Sequence, residues 1–498
     1  MDALIQAFGL VFEPYTLGII LASAVFGMFV GAVPGLTATM ATALLVPITF
    51  FMPPVPAIAA IVTATAMAIF SGDIPGCLMR IPGTPASAAY TDEAYAMTKK
   101  GQAELALGCG LVFSVIGGIF GTLVLATSAP LLAEVAIRFS SFEYFWLVLL
   151  GLTCAIFISQ GNPLKGFVSL LFGLLISSIG LDNPAGFPRF TFGSIEMLGS
   201  VGMIPMMIGM FAVSELIRWA VDQAPEAKLH TQEIGNVFRG MGGLIKKYPV
   251  QTLRGSAVGT LIGALPGAGA DIAAWISYAM SKRFSKTPEK FGTGHVEGII
   301  ESGASNNSAL AGAWVPALVF GIPGDSITAI VIGVLYIKGL QPGPMIFQNS
   351  TSIVYAIFIV FILANLLMIP LGILCIKASK RILSVPRNIL MPVILLFCIV
   401  GAFAINNTVF GVTIILVFGL LGYVMEENGF PVAPTILGVI LGTMLEENFI
   451  SSMIKADGRW LGFFERPIAG GLGAATIAIW LWMLWKKEKR TETSAVVG

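Results

Sequence analysis

The chain has 498 residues, of which 56% are hydrophobic and only 11% charged, against roughly 45–50% and 25% in a typical soluble domain. So little charge cannot cover a soluble surface of this size, and a net charge of +1 gives no long-range field for an acidic partner. The composition excludes a soluble enzyme, a disordered chain and a nucleic-acid binder working through a basic face, and it leaves a polytopic membrane protein.

In chain order, Met1 to Phe12 carries no Lys or Arg, so the first apolar stretch reads as mature protein rather than a cleaved signal peptide. Apolar segments near the roughly 17–25 residues that span a bilayer recur from end to end. They fall at about 16–33, 36–52, 55–70, 105–128, 142–160, 164–181 and 197–219. They continue at about 250–266, 268–281, 308–322, 325–340, 351–376, 391–405, 408–425, 432–450 and 468–485. Several are short and broken by Pro-Gly, as re-entrant or discontinuous helices would be. One long polar stretch, Asp222 to Tyr248, divides the chain almost in half. Trp146, Trp219, Trp460, Trp480, Trp482 and Trp485 lie near segment ends and read as interfacial aromatics, with Lys165, Arg189 and Lys338 as interfacial cations. Cys77, Cys109, Cys154, Cys375 and Cys398 are far apart, form no CxxC pair and read as small buried hydrophobes.

The halves repeat each other. Gly27-x3-Gly31-x2-Pro34-Gly35 returns as Gly259-x3-Gly263-x2-Pro266-Gly267. Ile74-Pro75 with Ile81-Pro82-Gly83 returns as Val315-Pro316 with Ile322-Pro323-Gly324. Lys100-Gly101 returns as Lys338-Gly339, and Pro205-x3-Gly209 as Pro434-x3-Gly438. Four pairs in one order, each about 230 to 240 residues apart, mark an internal duplication.

Charge then suggests that the halves are inverted. The loop after the first Pro-Gly motif, Phe50 to Pro54, is neutral, whereas its counterpart carries Lys282, Arg283, Lys286 and Lys290. Conversely, Lys99-Lys100 faces a lone Lys338. Lys377, Lys380, Arg381 and Arg387 follow segment 351–376, where the first half has only Arg138. The run Lys486-Lys487-Glu488-Lys489-Arg490 puts the C-terminus inside and the N-terminus outside; Arg459 and Arg466 then fall outside, against the trend. The expected fold is an all-α polytopic membrane protein of two inverted-topology repeats with Pro-Gly-broken or re-entrant helices, plus a C-terminal helix. Its parts would be a first repeat over 10–220, a polar connecting loop over 221–248 and a second repeat over 249–450. An extra helix over 451–485 and a basic cytoplasmic tail over 486–498 would follow.

Paired broken helices point to a secondary transporter, whose sites lie where helices unwind near the midplane. Pro removes an N–H and Gly permits the turn, so freed N–H groups can meet an anion and freed carbonyls a cation. Four breaks stand out: Gly31 to Thr39, Arg80 to Ser87, Gly263 to Asp271 and Gly321 to Thr328. Each places hydroxyl or acidic residues just after Pro-Gly; ordinary loops between helices are the alternative. The polar run Glu301 to Ser308 leads into an apolar helix and offers amide and hydroxyl oxygens to a cation, or caps to a helix. Asp271 and Asp325 lie in apolar surroundings, where carboxylates bind cations or protons, or cap helices. Arg80 suits a substrate carboxylate, a pairing with Asp73 or an interface. There is no P-loop, HExxH or GxSxG, and Gly267-Ala268-Gly269 lacks the third glycine of a dinucleotide fingerprint, so no enzyme is expected.

At these residues the chain resembles the large membrane subunit of the tripartite tricarboxylate transporters. The matching pieces of the first half are Gly31-Ala32-Val33-Pro34-Gly35-Leu36-Thr37, Ile81 to Ala88, Lys99 to Ala103, Arg189 to Gly193 and Pro205 to Glu215. Those of the second half are Leu265 to Gly269, Glu301 to Asn307, Gly321 to Asp325 and Gly339 to Pro344. The resemblance runs over about residues 10–485. The family more often has an uncharged residue at the position of Arg80, and a more compact motif at Glu301 to Ser308.

The resemblance implies a bacterial inner-membrane carrier working with a small four-helix membrane subunit and a periplasmic solute-binding protein. Its substrates would be citrate-like di- or tricarboxylates, driven by Na⁺ or H⁺, with no other cofactor or metal and no nucleic acid. A homodimer is left open. Substrate contacts are expected from Gly35, Arg80, Gly83, Thr84, Ser87, Gly267, Gly269, Asn307, Gly324 and Ser326. The cation is expected at Thr37, Thr39, Asn306 and Asp325. A stand-alone carrier without a binding protein, a passive anion channel and an intramembrane enzyme are the other classes.

Overall fold

The computed structural model describes residues 2–158, 162–181, 183–184, 186–221 and 235–496, without the side chains of 155, 157–158, 387, 406 and 482–496. Nearly half of the polar connector, residues 222–234 with His230, therefore lies outside the described residues, as do 497–498 and the side chains of the basic tail.

The first half runs α1 (Asp2–Val11), α2 (Pro14–Ala32), α3 (Ala38–Thr49), α4 (Pro54–Ser71), α5 (Asp73–Met79), α6 (Ala88–Lys99), α7 (Ala103–Ala136), α8 (Ser141–Ile158) and α9 (Pro163–Ser177). It closes with α10 (Met203–Ile208), a π turn at Gly209–Val213 and α11 (Ser214–Val221). After α12 (Met241–Lys247) come α13 (Pro249–Gly263), α14 (Gly269–Phe284), α15 (Val296–Phe320), α16 (Ser326–Ile337) and α17 (Ile346–Asn349). The chain ends with α18 (Thr351–Leu383), α19 (Arg387–Asn406), α20 (Val409–Glu427), α21 (Val432–Lys455) and α22 (Pro467–Val496). Proline opens α2, α4, α9 and α13, where its missing N–H would have no helical partner anyway. No strand occurs among the described residues, and eight of their helices are long and apolar enough to cross a membrane.

The order of elements is duplicated. α2, α3, the nearly continuous α4–α5, α6 and α7 match α13, α14, α15, α16 and α18. α6 and α16 have 12 residues each, and α7 and α18 have 34 and 33. Packing between the halves is reciprocal: α7 lies on α15 as α18 lies on α4, and α6 meets α14 as α16 meets α3. The repeated Lys-Gly has the same task twice. Lys100 Nζ donates to Thr293 O at 2.6 Å, and Lys338 Nζ to Phe50 O and Met52 O at 2.7 Å. Each lysine thus ties the end of its helix to the other half, which is more than an interfacial anchor.

α4 and α15 are buried along almost their whole length. Glycines set how closely the neighbouring helix approaches. A Cβ on Gly27 or Gly31 would run into the α4 backbone at Ala64 or Ala68, and one on Gly255, Gly259 or Gly263 into α15 at Glu301, Ser305 or Ala309. The last sequence repeat works alike: a Cβ on Gly209 would lie 2.7 Å from Ile415 O, and one on Gly438 2.7 Å from Leu170 O.

Three expectations are corrected. Glu301 to Ser308 does not precede a helix at 308; it lies inside α15, which starts at Val296, and all eight residues are buried. Polar residues persist there because protein surrounds the helix on every side. Trp146 is not interfacial: it is buried, donates to Phe463 O at 2.9 Å and packs between Phe145 and Phe464. α21 continues past 450 to Lys455. Arg459 and Arg466 are both paired, with Glu465 at 3.2 Å and the buried Glu143 at 2.7 Å, so neither is a bare charge.

Gly259→Val should destabilise the purified protein by about 1–3 kcal/mol through overpacking, read as a lower melting temperature in detergent. Gly471→Ala, with open space around it, should leave melting unchanged or raise it; equal loss in both variants would refute the close-approach role of Gly259.

Candidate substrate and ion cavity

The four Pro-Gly breaks deliver four helix N-termini, those of α3, α6, α14 and α16, to one place. Residues from all four line a cavity of about 390 Å³. Gly35 and Gly267 turn the chain with φ of 89° and 82°, values that side-chain-bearing residues avoid. The second pair of breaks is held in identical fashion. A Cβ on Gly83 would sit 2.8 Å from Gly31 O, and one on Gly324 2.8 Å from Gly263 O.

Local caps then fix the side chains. Thr37 Oγ1 accepts from Met40 N at 3.1 Å and starts α3. Thr84 and Ser87 cap reciprocally: Thr84 N donates to Ser87 Oγ at 3.2 Å and Ser87 N to Thr84 Oγ1 at 3.1 Å. Asp325 and Thr328 repeat that box, with Asp325 N donating to Thr328 Oγ1 at 2.9 Å and Thr328 N to Asp325 Oδ1 at 2.8 Å. Asp271 stands in the first turn of α14 and receives the Ala86 N–H from the other half. Trp275 Nε1 adds a bond to Pro85 O at 3.3 Å.

The duplication gives each lining position a counterpart. Thr39 corresponds to Asp271 and Thr84 to Asp325, and all four line the cavity. The first half supplies hydroxyls and the second half carboxylates. Glu426 also reaches the lining but is paired with Arg218. No Lys or Arg lines the cavity among the described residues. Helix N-termini favour negative charge by typically 0.3–1 kcal/mol each, so α14 and α16 can carry Asp271 and Asp325, while the α3 terminus carries hydroxyls only.

Of the residues expected from sequence, Thr37, Thr39, Thr84, Gly267, Gly269, Asn306, Asp325 and Ser326 line this cavity. Gly35, Gly83 and Gly324 shape the breaks without lining it, and Ser87 is spent on capping Thr84. Asn307 points elsewhere: its Nδ2 lies 3.5 Å from Ala66 O and 3.8 Å from Met368 Sδ. Successive residues on a helix are about 100° apart, so Asn306 and Asn307 cannot face one site. Arg80 is away from the cavity, exposed and paired with Asp92 at 2.8 Å. Its φ of 61° makes it the left-handed C-cap of α5, the place that Gly321 (φ 69°) takes after α15. Glu301 meets Arg254 through two bonds of 2.6 Å and is structural. Reading through the sequence alone undervalued Asp271; its alignment with Thr39 was the available signal.

Apolar spanning helices, duplicated breaks and a cavity at four helix termini define a membrane transport protein. Residues 17–437 match the tripartite tricarboxylate transporter TctA family, and the chain belongs to it. It is 33% identical over 452 residues to an uncharacterized 52.8 kDa protein of the TAR-I ttuC' 3' region of Agrobacterium vitis, covering 91% of this chain and 90% of that protein. A second protein, from the TAR-II ttuC' 3' region of the same organism, is 36% identical over 214 residues, covering 43% of this chain and 88% of that protein. No solved structure matches the chain.

Arg80→Gly should raise stability by about 1 kcal/mol, because a left-handed residue loses its Cβ and an exposed ion pair contributes little. Arg254→Ala should lower stability by about 3–5 kcal/mol by leaving buried Glu301 unpaired. Thermal melting of both variants checks the pair of statements.

Proposed function

We propose that this chain is the large membrane subunit of an ion-coupled importer of di- or tricarboxylates, fed by a periplasmic binding protein and accompanied by a small membrane subunit. Family membership supports the tripartite setting. The observation that carries the ion coupling is the lining: two carboxylates without a basic partner, beside the Arg218-paired Glu426, and no Lys or Arg among the described residues in a cavity proposed for an anion. An anionic substrate entering there meets Asp271 and Asp325, and the repulsion in a low-dielectric site is large unless a cation enters as well. The coupling cation then sits at Asp271 and Asp325. The substrate carboxylate sits at the α3 terminus, near Thr37 and Thr39, with Thr84 beside it. This differs from the sequence expectation by moving Thr37 and Thr39 to the substrate side.

The duplicated halves, taken as inverted in the bacterial inner membrane, give alternating access by exchange of equivalent contacts. The reciprocal lysine ties at Thr293 and at Phe50 and Met52 are contacts suited to breaking and re-forming in such an exchange. The C-terminus is placed on the cytoplasmic side.

The test is uptake of labelled mono-, di- and tricarboxylates into proteoliposomes holding this chain, its small subunit and the cognate binding protein. Accumulation should follow an imposed Na⁺ or H⁺ gradient and need the binding protein. Asp271→Asn and Asp325→Asn should each weaken the cation dependence by about tenfold, or 1.4 kcal/mol. Thr39→Val should raise the carboxylate KM more than it changes the cation dependence. Downhill flux indifferent to gradients and binding protein would instead establish a passive channel.

A further inference from the structure

A buried carboxylate lies behind the cavity wall. Asp73, the first residue of α5, is buried; Tyr90 of α6 donates its hydroxyl proton to Asp73 Oδ1 at 2.6 Å. The same hydroxyl accepts from Asn306 Nδ2 of α15 at 3.2 Å. Asn306 in turn lines the cavity. Two acceptor oxygens of this chain of groups, Asp73 Oδ2 and Asn306 Oδ1, have no hydrogen-bond partner although both are buried. Asp73 Oδ2 faces α7 at Gly110, where an added Cβ would come within 3.3 Å of it.

The duplicated fold supplies its own control. The position of Asp73 in the second half is Trp314, which is buried and apolar. The second copy of the framework is thus built without a carboxylate at this position. A buried carboxylate whose second oxygen lacks a donor is costly. A positive species at an orphaned oxygen removes that cost; oxygen-only ligands suit a hard cation, and a single carboxylate balances one positive charge.

We infer that Asp73, with Asn306 and the Tyr90 hydroxyl between them, forms a second monovalent-cation site, for Na⁺, set one layer behind the cavity and reached from it past Asn306. Asp73 neutralises the ion, and Gly110 faces its free oxygen without a side chain. Occupancy holds the Asn306 amide in place at the cavity wall, which links this ion to whatever the cavity binds.

The probe is Na⁺ alone on the purified full chain in nanodiscs. Melting is followed while NaCl replaces choline chloride at constant ionic strength. The wild type should be stabilised by Na⁺ and not by choline. Asp73→Asn, Asn306→Ala and Gly110→Ala should each raise the Na⁺ midpoint by about tenfold or more, since ligand stabilisation follows the ratio of concentration to Kd. Gly110→Ala keeps every ligand and tests the site even if Asp73→Asn folds poorly. Absence of Na⁺ stabilisation in the wild type, or a midpoint moved by Asp271→Asn and not by Asp73→Asn or Gly110→Ala, would overturn the site. Uptake driven by a proton gradient alone and abolished by Asp73→Asn would overturn the sodium assignment. Na⁺ stabilisation lost in Asp73→Asn, alongside a failure of carboxylate uptake in the wild type, would uphold this site and sink only the function proposed above.

Discussion

The close approach of α2 to α4, and of α13 to α15, is the constraint on which the cavity depends. Where Gly27 and Gly31 face Ala64 and Ala68, and Gly255, Gly259 and Gly263 face Glu301, Ser305 and Ala309, no side chain separates the helices. In a bilayer the hydrophobic effect does not drive helices together, so van der Waals contact and backbone proximity must do so. With the pairs so close, Gly31 O and Gly263 O lie beside Gly83 and Gly324, and the first and second break of each half become neighbours. Reciprocal packing of α7 on α15 and α18 on α4 then brings the two pairs of breaks to one centre. Unwound backbone at that depth is tolerable because it is enclosed by protein and lines a cavity.

Duplication fixes the positions, and divergence of side chains gives them chemistry. The reciprocal cap made by Thr84 and Ser87 is the same structural device as the one made by Asp325 and Thr328. Replacing Thr by Asp at such a cap keeps the helix start and adds a charge that the terminus tolerates. The same exchange separates Thr39 from Asp271. A cavity with hydroxyls on one side and carboxylates on the other can take an anion and a cation together, whereas four hydroxyls would select neither.

Much of this was legible in the sequence because Pro and Gly act locally. Pro34-Gly35, Pro82-Gly83, Pro266-Gly267 and Pro323-Gly324 break helices wherever they occur, so four breaks and their pairing could be read directly. The polar run Glu301 to Ser308 was misplaced for a physical reason. A helix buried on all sides has no amphipathic period, and polar residues such as Glu301 and Asn306, bonded to Arg254 and Tyr90 of neighbouring helices, look like a loop. Arg80 misled because its charge suggests a ligand, while its backbone is doing what Gly321 does in the other half. The choice between Asn306 and Asn307 rests on rotation about one helix, which no composition reveals.

Asymmetry between duplicated halves is also the way to tell framework from function in this fold. Where both copies keep one residue type, as at Lys100 and Lys338, the shared contact belongs to the architecture. Where a buried position is Trp314 in one copy and Asp73 in the other, the second copy is satisfied by the apolar choice. The polar choice then has to be accounted for by something outside the framework. Asp73 meets that description, and Asp271 and Asp325, whose counterparts are the hydroxyls of Thr39 and Thr84, lie with it in or behind the same cavity wall. Three carboxylates gathered there, with no Lys or Arg in the cavity lining among the described residues, make the centre of the protein acidic. Under the proposed function a substrate anion would be admitted on their account, and its movement would be coupled to that of the cations.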